Sequence, residues 1–170
     1  MEYLTTMSTA VTAPPRWLTP EQQEAWRAYL RGSRLLEAAL DRDLQSHGVQ
    51  LSEYEIISML SESPGRRLRM SGLADLVVQS RSRLTHTAAR LEKRGWVRRE
   101  SCLEDRRGVE LVLTERGLAA VEEMAQVHIE SVRRNIVDTM TPEQFATLGL
   151  AMAAMRDAIL AGGLPSCSEV

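Results

Sequence analysis

Apolar residues recur at three- and four-residue intervals along most of the chain, and the breaks in that rhythm predict six helices and three short extended segments. Residues 1–18 are rich in Thr, Ser and Pro, show no sustained period and read as an N-terminal arm. Thr19-Pro20-Glu21-Gln22 then combines a capping threonine, a first-turn proline and a glutamine that closes a capping box. Trp26, Leu30, Ser33, Leu36, Leu40 and Leu44 mark one face of the long helix that follows, and His47-Gly48 stops it.

Shorter elements occupy the middle of the chain. Ser52-Glu53-Tyr54-Glu55 reads as a second capping box, with Leu51 and Ile56 as a hydrophobic staple, and predicts a helix to about Ser63 that Pro64-Gly65 ends. Arg66–Met70 suits a brief strand, Ser71 caps a short helix through Leu73, Leu76 and Val77, and Ser80 caps another over Arg81–Arg94. That helix carries only a narrow stripe, Leu84, Ala88 and Leu91, and Gly95 closes it. Trp96–Cys102 and Val109–Thr114 read as strands, the second with Val109, Leu111 and Leu113 on one face, joined by a charged hairpin loop over Leu103–Gly108.

Two further helices follow. The first runs from Glu115 to about Met140 on the stripe Leu118, Val121, Ala125, Ile129, Val132 and Ile136. Thr141-Pro142-Glu143-Gln144 starts the second, which carries Phe145, Leu148, Met152, Met155 and Ile159 before Gly162-Gly163. These terminal helices hold more apolar stripe than a small central domain can cover, so an intermolecular helical interface is expected.

Composition adds three constraints. With aromatics at 4% of 170 residues, the core falls to Leu, Val, Ile, Ala and eight Met, a mixture suited to packed helices. No run nears the roughly 20 apolar residues of a membrane span, and the start lacks a signal-peptide layout, so a cytoplasmic location with no membrane partner is expected. Cys102 and Cys167 suggest neither a disulfide framework nor a cysteine zinc site. The net charge of −2 conceals a segregation: residues 66–107 carry twelve basic and five acidic side chains, net +7, and the remainder is net −9. A basic centre between acidic helical arms suits a module that faces phosphates.

Two short helices joined by a tight turn and followed by a hairpin make a helix-turn-helix with a wing, whose second helix fits a DNA major groove. Ser80, Arg81, Ser82, Arg83, Thr85, His86 and Arg90 supply the donors that base and phosphate recognition needs. Each has a plainer alternative: Arg81 and Arg83 as a solvated helix face, His86 as an exposed spacer. Arg98 and Arg99 are either phosphate contacts or hairpin surface charges, and Arg94 serves either DNA or its own helix terminus. The chain contains no HExxH, GxSxG, GxxxxGK, GxGxxG or CxxC, and none of His47, His86 and His128 has a glutamate three residues before it. No enzymatic activity, metal or cofactor is expected.

Leu73-Ala74-Asp75-Leu76, the run from Arg90 to Val97, Asp105-Arg106-Arg107 and Leu113-Thr114-Glu115-Arg116-Gly117 together resemble the MarR family of bacterial transcriptional regulators over about residues 20–160. The resemblance implies a mostly α fold with a small antiparallel β wing. It further implies a homodimer interlocked through its terminal helices on a palindromic double-stranded DNA operator, more often as a repressor. The implied organisation is an arm over 1–18, a dimerisation helix over 19–48, the winged lobe over 49–114, C-terminal dimerisation helices over 115–163 and a tail over 164–170. By the same resemblance Arg107 enters the minor groove, Asp105 orients the wing, and Arg106 meets phosphate or sugar, roles that suit a guanidinium in a narrow electronegative groove. A small aromatic or phenolic effector is also implied. Trp26, Tyr29, His47 and Tyr54 are compatible with its pocket and equally with ordinary packing. The competing reading is an architectural DNA-binding or helical interaction protein with little sequence preference and no ligand control.

Overall fold

The computed structural model describes residues 15–102 and 108–162, and the chain divides after Arg34 into two compact units. Helix α1, Pro20–Gln45, begins in the first unit. Its capping box forms as expected: the Gln22 amide donates to Thr19 Oγ1 at 3.2 Å and the Thr19 amide to Gln22 Oε1 at 2.9 Å. Within this unit Trp26 and Tyr29 stack, with ring centroids 5.8 Å apart, and both remain partly exposed.

The second unit contains α2 (Leu51–Glu62), β1 (Arg67–Arg69), α3 (Met70–Leu76), α4 (Arg81–Lys93), β2 (Val97–Ser101), β3 (Val109–Leu113), α5 (Glu115–Asn135) and α6 (Pro142–Ala161). Two starts differ from the sequence expectation. Helix α2 is capped at Gln50 rather than Ser52, because Glu53 Oε2 accepts the Gln50 amide at 3.1 Å and Asp41 Oδ1 accepts that of Leu51 at 2.8 Å. Helix α3 begins at Met70, so Ser71 lies inside it: pairing of Arg69 with Glu110 holds the chain extended up to the residue before. Ser80 and Thr141 cap as expected, their hydroxyls accepting the amides of Arg83 and Gln144.

The hairpin is part of a three-stranded antiparallel sheet in the order β1-β3-β2, with Val97 opposite Leu113 and Arg67 opposite Val112. Val112 is buried although Leu111 and Leu113 occupy the other face, because its cross-strand neighbours are Arg67 and Arg98, whose aliphatic stems flank it. Val109 keeps the alternation of Leu111 and Leu113 but is 42% exposed, because it lies at the loop end of the hairpin, beyond the core that buries the other two.

One core cluster joins Ile57 and Leu60 of α2, Leu73 of α3, Leu84 and Leu91 of α4, and Leu111 of β3. A second gathers Leu44, Val49, Leu51, Tyr54 and Met124, and Trp96 packs against both. Helix α5 contributes Gly117, Ala120, Val121, Met124 and Ser131. Its buried face is therefore rotated from the expected stripe and leaves Ile129 58% exposed. It also ends before Met140: the Asn135 side chain takes the Ser131 carbonyl at 2.8 Å, and Ile136 leaves helical geometry at φ −140°. Helix α6 buries none of its residues, and Phe145, Leu150, Met152, Met155, Ile159 and Leu160 are all exposed.

Between α3 and α4, Val78 adopts φ 49° with 80% of its surface exposed. A β-branched residue rarely occupies this left-handed region. Val78→Gly is expected to raise stability by roughly 0.5–1 kcal/mol, the left-handed penalty less glycine's extra unfolded-state freedom. A shift of the urea midpoint measures it, and an unchanged or lowered midpoint contradicts it.

Candidate nucleic-acid interface

Helix α4 is held by one face. Leu84, Thr87, Ala88 and Leu91 are buried, while Arg81, Ser82, Arg83, Thr85, His86 and Arg90 lie on its exposed circumference. The N-terminus of α2 runs beside it, and Gln50, Ser52, Ser80, Ser82, Arg83, His86, Thr87 and Arg90 line an open cleft of about 440 Å³. The fold thus gathers most of the residues expected to read DNA and adds Gln50 and Ser52 from a different helix. Thr85 is partly occupied, its hydroxyl donating to the Arg81 carbonyl at 2.7 Å.

The first turn of α4 contains Arg81 and Arg83 and no acidic residue. A helix N-terminus carries partial positive charge, so each cation there costs about 0.3–1 kcal/mol relative to an anion-favouring arrangement. Neither arginine forms a close ion pair among the described residues, although the charge of Arg83 acts on the Glu55 carboxyl of α2, which burial pushes above its ordinary range. Such a concentration of like charge becomes favourable when a polyanion approaches it.

Elsewhere the basic segment is largely neutralised by folding. Arg67 meets Glu110 at 3.3 Å and Glu100 at 3.4 Å, and Arg66 meets Glu115 at 2.9 Å. Arg98 pairs with Glu100 at 2.6 Å, and this hydrogen bond, more than the nearby charges of Arg98 and Arg67, holds the Glu100 carboxyl below its ordinary range. Arg99 donates to the Thr85 carbonyl at 3.2 Å and pairs with Glu92, tying β2 to α4. Arg90 leans toward α2, its Nε 3.1 Å from Glu53 Oε1 and a terminal nitrogen 2.7 Å from Gln50 Oε1, with about half of its side chain still exposed. Arg94 donates to the Gly48 carbonyl at 2.7 Å and lies over the Trp96 ring at 4.7 Å.

Asp105, Arg106 and Arg107 lie outside the described residues, as does Cys167. The loop end of the hairpin is closed by Ser101 opposite Val109 and by the Cys102 amide donating to the Gly108 carbonyl at 2.9 Å.

The four residues compatible with an effector pocket are distributed differently. Trp26 and Tyr29 belong to the first unit. Tyr54 is buried in the second core cluster, its ring 4.7 Å from that of His128. His47 is exposed beside a cleft of about 230 Å³ with Asp43, Ser46, Val127, Glu130 and Arg134. Burial pushes the His128 imidazole below the ordinary histidine range, and its Nδ1 has no partner among the described residues. His128 and Glu53 escaped the sequence reading as site residues. The signal for His128 was its spacing of four from Met124 and three from Ser131, a buried face visible only once α5 is packed.

Among the described residues, no group of three or more His, Cys, Asp or Glu side chains is placed to hold a metal ion, and no helix is long and apolar enough to cross a membrane.

Residues 47–108 match the model of the MarR family. AbsC, a MarR family transcriptional regulator from Streptomyces coelicolor, is 44% identical, with a TM-score of 0.82 over 86% of this chain and 99% of that one. Sco3205 from the same organism, a MarR family transcriptional regulator solved in complex with DNA, is 44% identical, with a TM-score of 0.80 over 84% of this chain and 94% of that one. The HTH-type transcriptional regulator PecS of Dickeya dadantii (strain 3937) is 29% identical over 115 residues, 67% of this chain and 69% of the relative.

Proposed function

The chain belongs to the MarR family of transcriptional regulators, and on that premise we propose that it binds double-stranded DNA at a palindromic operator as a homodimer. Helix α4 of each protomer enters a major groove, with Arg81, Ser82, Arg83 and His86 toward the bases and phosphates. The observation that carries this reading is the pair Arg81 and Arg83 at a helix N-terminus, neither in a close ion pair among the described residues, in a basic segment where Arg66, Arg67, Arg90, Arg98 and Arg99 close on carboxylates. The DNA complex of Sco3205, similar over most of its length, supports it.

The wing supplies Arg107 to the minor groove, with Asp105 orienting it and Arg106 on the backbone. The exposed apolar side chains of α6 support pairing of two chains, since a monomer leaves them in water. A dimer of this kind sets its two reading helices about one DNA turn apart, ~34 Å, and occupation of that turn excludes other proteins from it, the simplest route to repression. An aromatic effector releases the operator only by favouring a helix spacing that DNA does not accept. The proposed location is the cytoplasm.

Fluorescence anisotropy at about 150 mM salt tests the assignment, with the duplex upstream of the protein's own gene against a scrambled duplex of equal composition. The upstream duplex is expected to bind at least ~10³-fold tighter. If neither upstream DNA nor duplexes selected from whole-genome fragments show such a preference, the site-specific reading falls and the architectural one takes its place.

A further inference from the structure

We propose that Glu53 is a specificity-determining residue: it withholds Arg90 and Arg94 from DNA so that the N-terminal turn of α4 alone governs binding. This inference rests on the DNA-binding reading of α4. Glu53 lies in the first turn of α2, only 2% exposed, and its carboxylate is shared three ways. Oε1 accepts Arg90 Nε at 3.1 Å, Oε2 accepts the Gln50 amide at 3.1 Å, and a terminal nitrogen of Arg94 approaches Oε2 at 3.6 Å. Gln50 completes the enclosure by accepting from Arg90 through Oε1 at 2.7 Å.

The consequence for α4 is a gradient of available charge. Its first turn presents Arg81 and Arg83 with no close ion pair, only the more distant Glu55 acting on Arg83, whereas Arg90 and Arg94 at its other end are tied to one buried anion while their side chains stay 47% and 37% exposed. A charge with that little contact with water is costly to leave unpaired, so the two guanidiniums stay on it rather than exchanging freely. Arg90 also lines both the cleft that faces Ser82 and Arg83 and the adjoining one formed with Gln45, Gly48 and Val49. It sits where release from Glu53 lets it swing toward a bound backbone. Phosphate contacts add affinity for every duplex alike and carry no sequence information. Removing two potential phosphate contacts from the exposed end of the reading helix therefore lowers random-DNA binding without touching base recognition. The buried anion also fixes the angle of α4 against α2, which keeps its first turn aimed.

The test is the salt dependence of binding for the full-length protein, Glu53→Gln and Arg90→Gln, on the preferred duplex and on a random one. Each phosphate contact contributes about 0.9 to the slope of log affinity against log salt. For Glu53→Gln the slope on random DNA is expected to steepen by about 1–2, and the specificity ratio to fall several-fold, as the arginines reach phosphates. A merely structural role lowers the active fraction and leaves the slope unchanged, and that result overturns the proposal. Arg90→Gln decides the matter even if Glu53→Gln does not fold. A slope within error of the parent, with weaker binding to the preferred duplex, supports an inward Arg90, and flattening by about 0.9 shows a phosphate contact and overturns it. The two readings fail separately: absence of any preferred duplex for the parent protein removes site-specific recognition, whereas the slopes of the two variants on random DNA still report where Arg90 points.

Discussion

Replacing Arg81 and Arg83 together by alanine is expected to reduce affinity for the preferred duplex by about 10²-fold or more while leaving the protein slightly more stable. A well-made arginine contact to a base edge contributes about 1–3 kcal/mol of discrimination, and two of them multiply. The stability change runs the other way, because both cations sit in the first turn of α4, where the partial positive charge of the helix disfavours them. Opposite signs in the two measurements are what a binding surface produces and a packing residue does not. Anisotropy on preferred and random duplexes, beside urea unfolding of the same variant, reads both. Equal losses on the two duplexes assign the arginines to phosphates, and a larger loss on the preferred one assigns at least one to a base edge. A loss below about 3-fold on both removes α4 as the reading element.

The second large effect is on stability. Gly117→Ala is expected to cost on the order of 3 kcal/mol, with overpacking against backbone as the cause. A β-carbon at Gly117 would stand 2.1 Å from the Trp96 carbonyl oxygen and 2.7 Å from Leu113 Cδ1. The oxygen cannot retreat cheaply, because it accepts both the Thr114 amide at 3.0 Å and the Thr114 hydroxyl at 3.1 Å. Thr114 is at the same time the cap of α5, accepting the Gly117 amide at 3.0 Å. The substitution therefore pushes apart the end of β3, the start of α5 and the turn after α4. Alanine's better helix propensity, about 1 kcal/mol, offsets only part of this. For a domain of this size the midpoint of thermal unfolding should fall by roughly 10 °C. A change of less than about 0.5 kcal/mol in urea unfolding would mean that α5 is not seated against Trp96 as described. The glycine of the Leu-Thr-x-x-Gly signature thus answers a close approach of two backbones, which no neighbouring residue in the sequence announces.

The element order, the caps at Thr19, Ser80 and Thr141, and the stop at Gly95 were all legible without coordinates. Each depends on hydrogen bonds or dihedrals within three or four residues, and those are encoded in residue type. The exposed face of α4 was legible for a similar reason: Leu84, Ala88 and Leu91 are too few to bury more than one side of it. Expectations failed where distant chain segments decide. Ser52 and Ser71 are good caps locally, but Asp41, ten residues before Leu51, and β3, some forty residues after Arg69, moved both helix starts.

The amino-acid sequence by itself determined a mostly helical protein with a winged helix-turn-helix, a basic centre, and a reading helix open to solvent. Only the tertiary structure decided which of the basic residues remain available. Arg90 stands in sequence as one more cation on the exposed face, and nothing within a helical turn of it reveals Glu53, 37 positions earlier, as its partner. The same holds for Arg99 on the Thr85 carbonyl and for the rotation of α5 that exposes Ile129 and buries Ser131. Periodicity and capping are short-range and additive along the chain. Charge neutralisation and the choice of a buried face depend on which segments meet, and a single sequence does not state that.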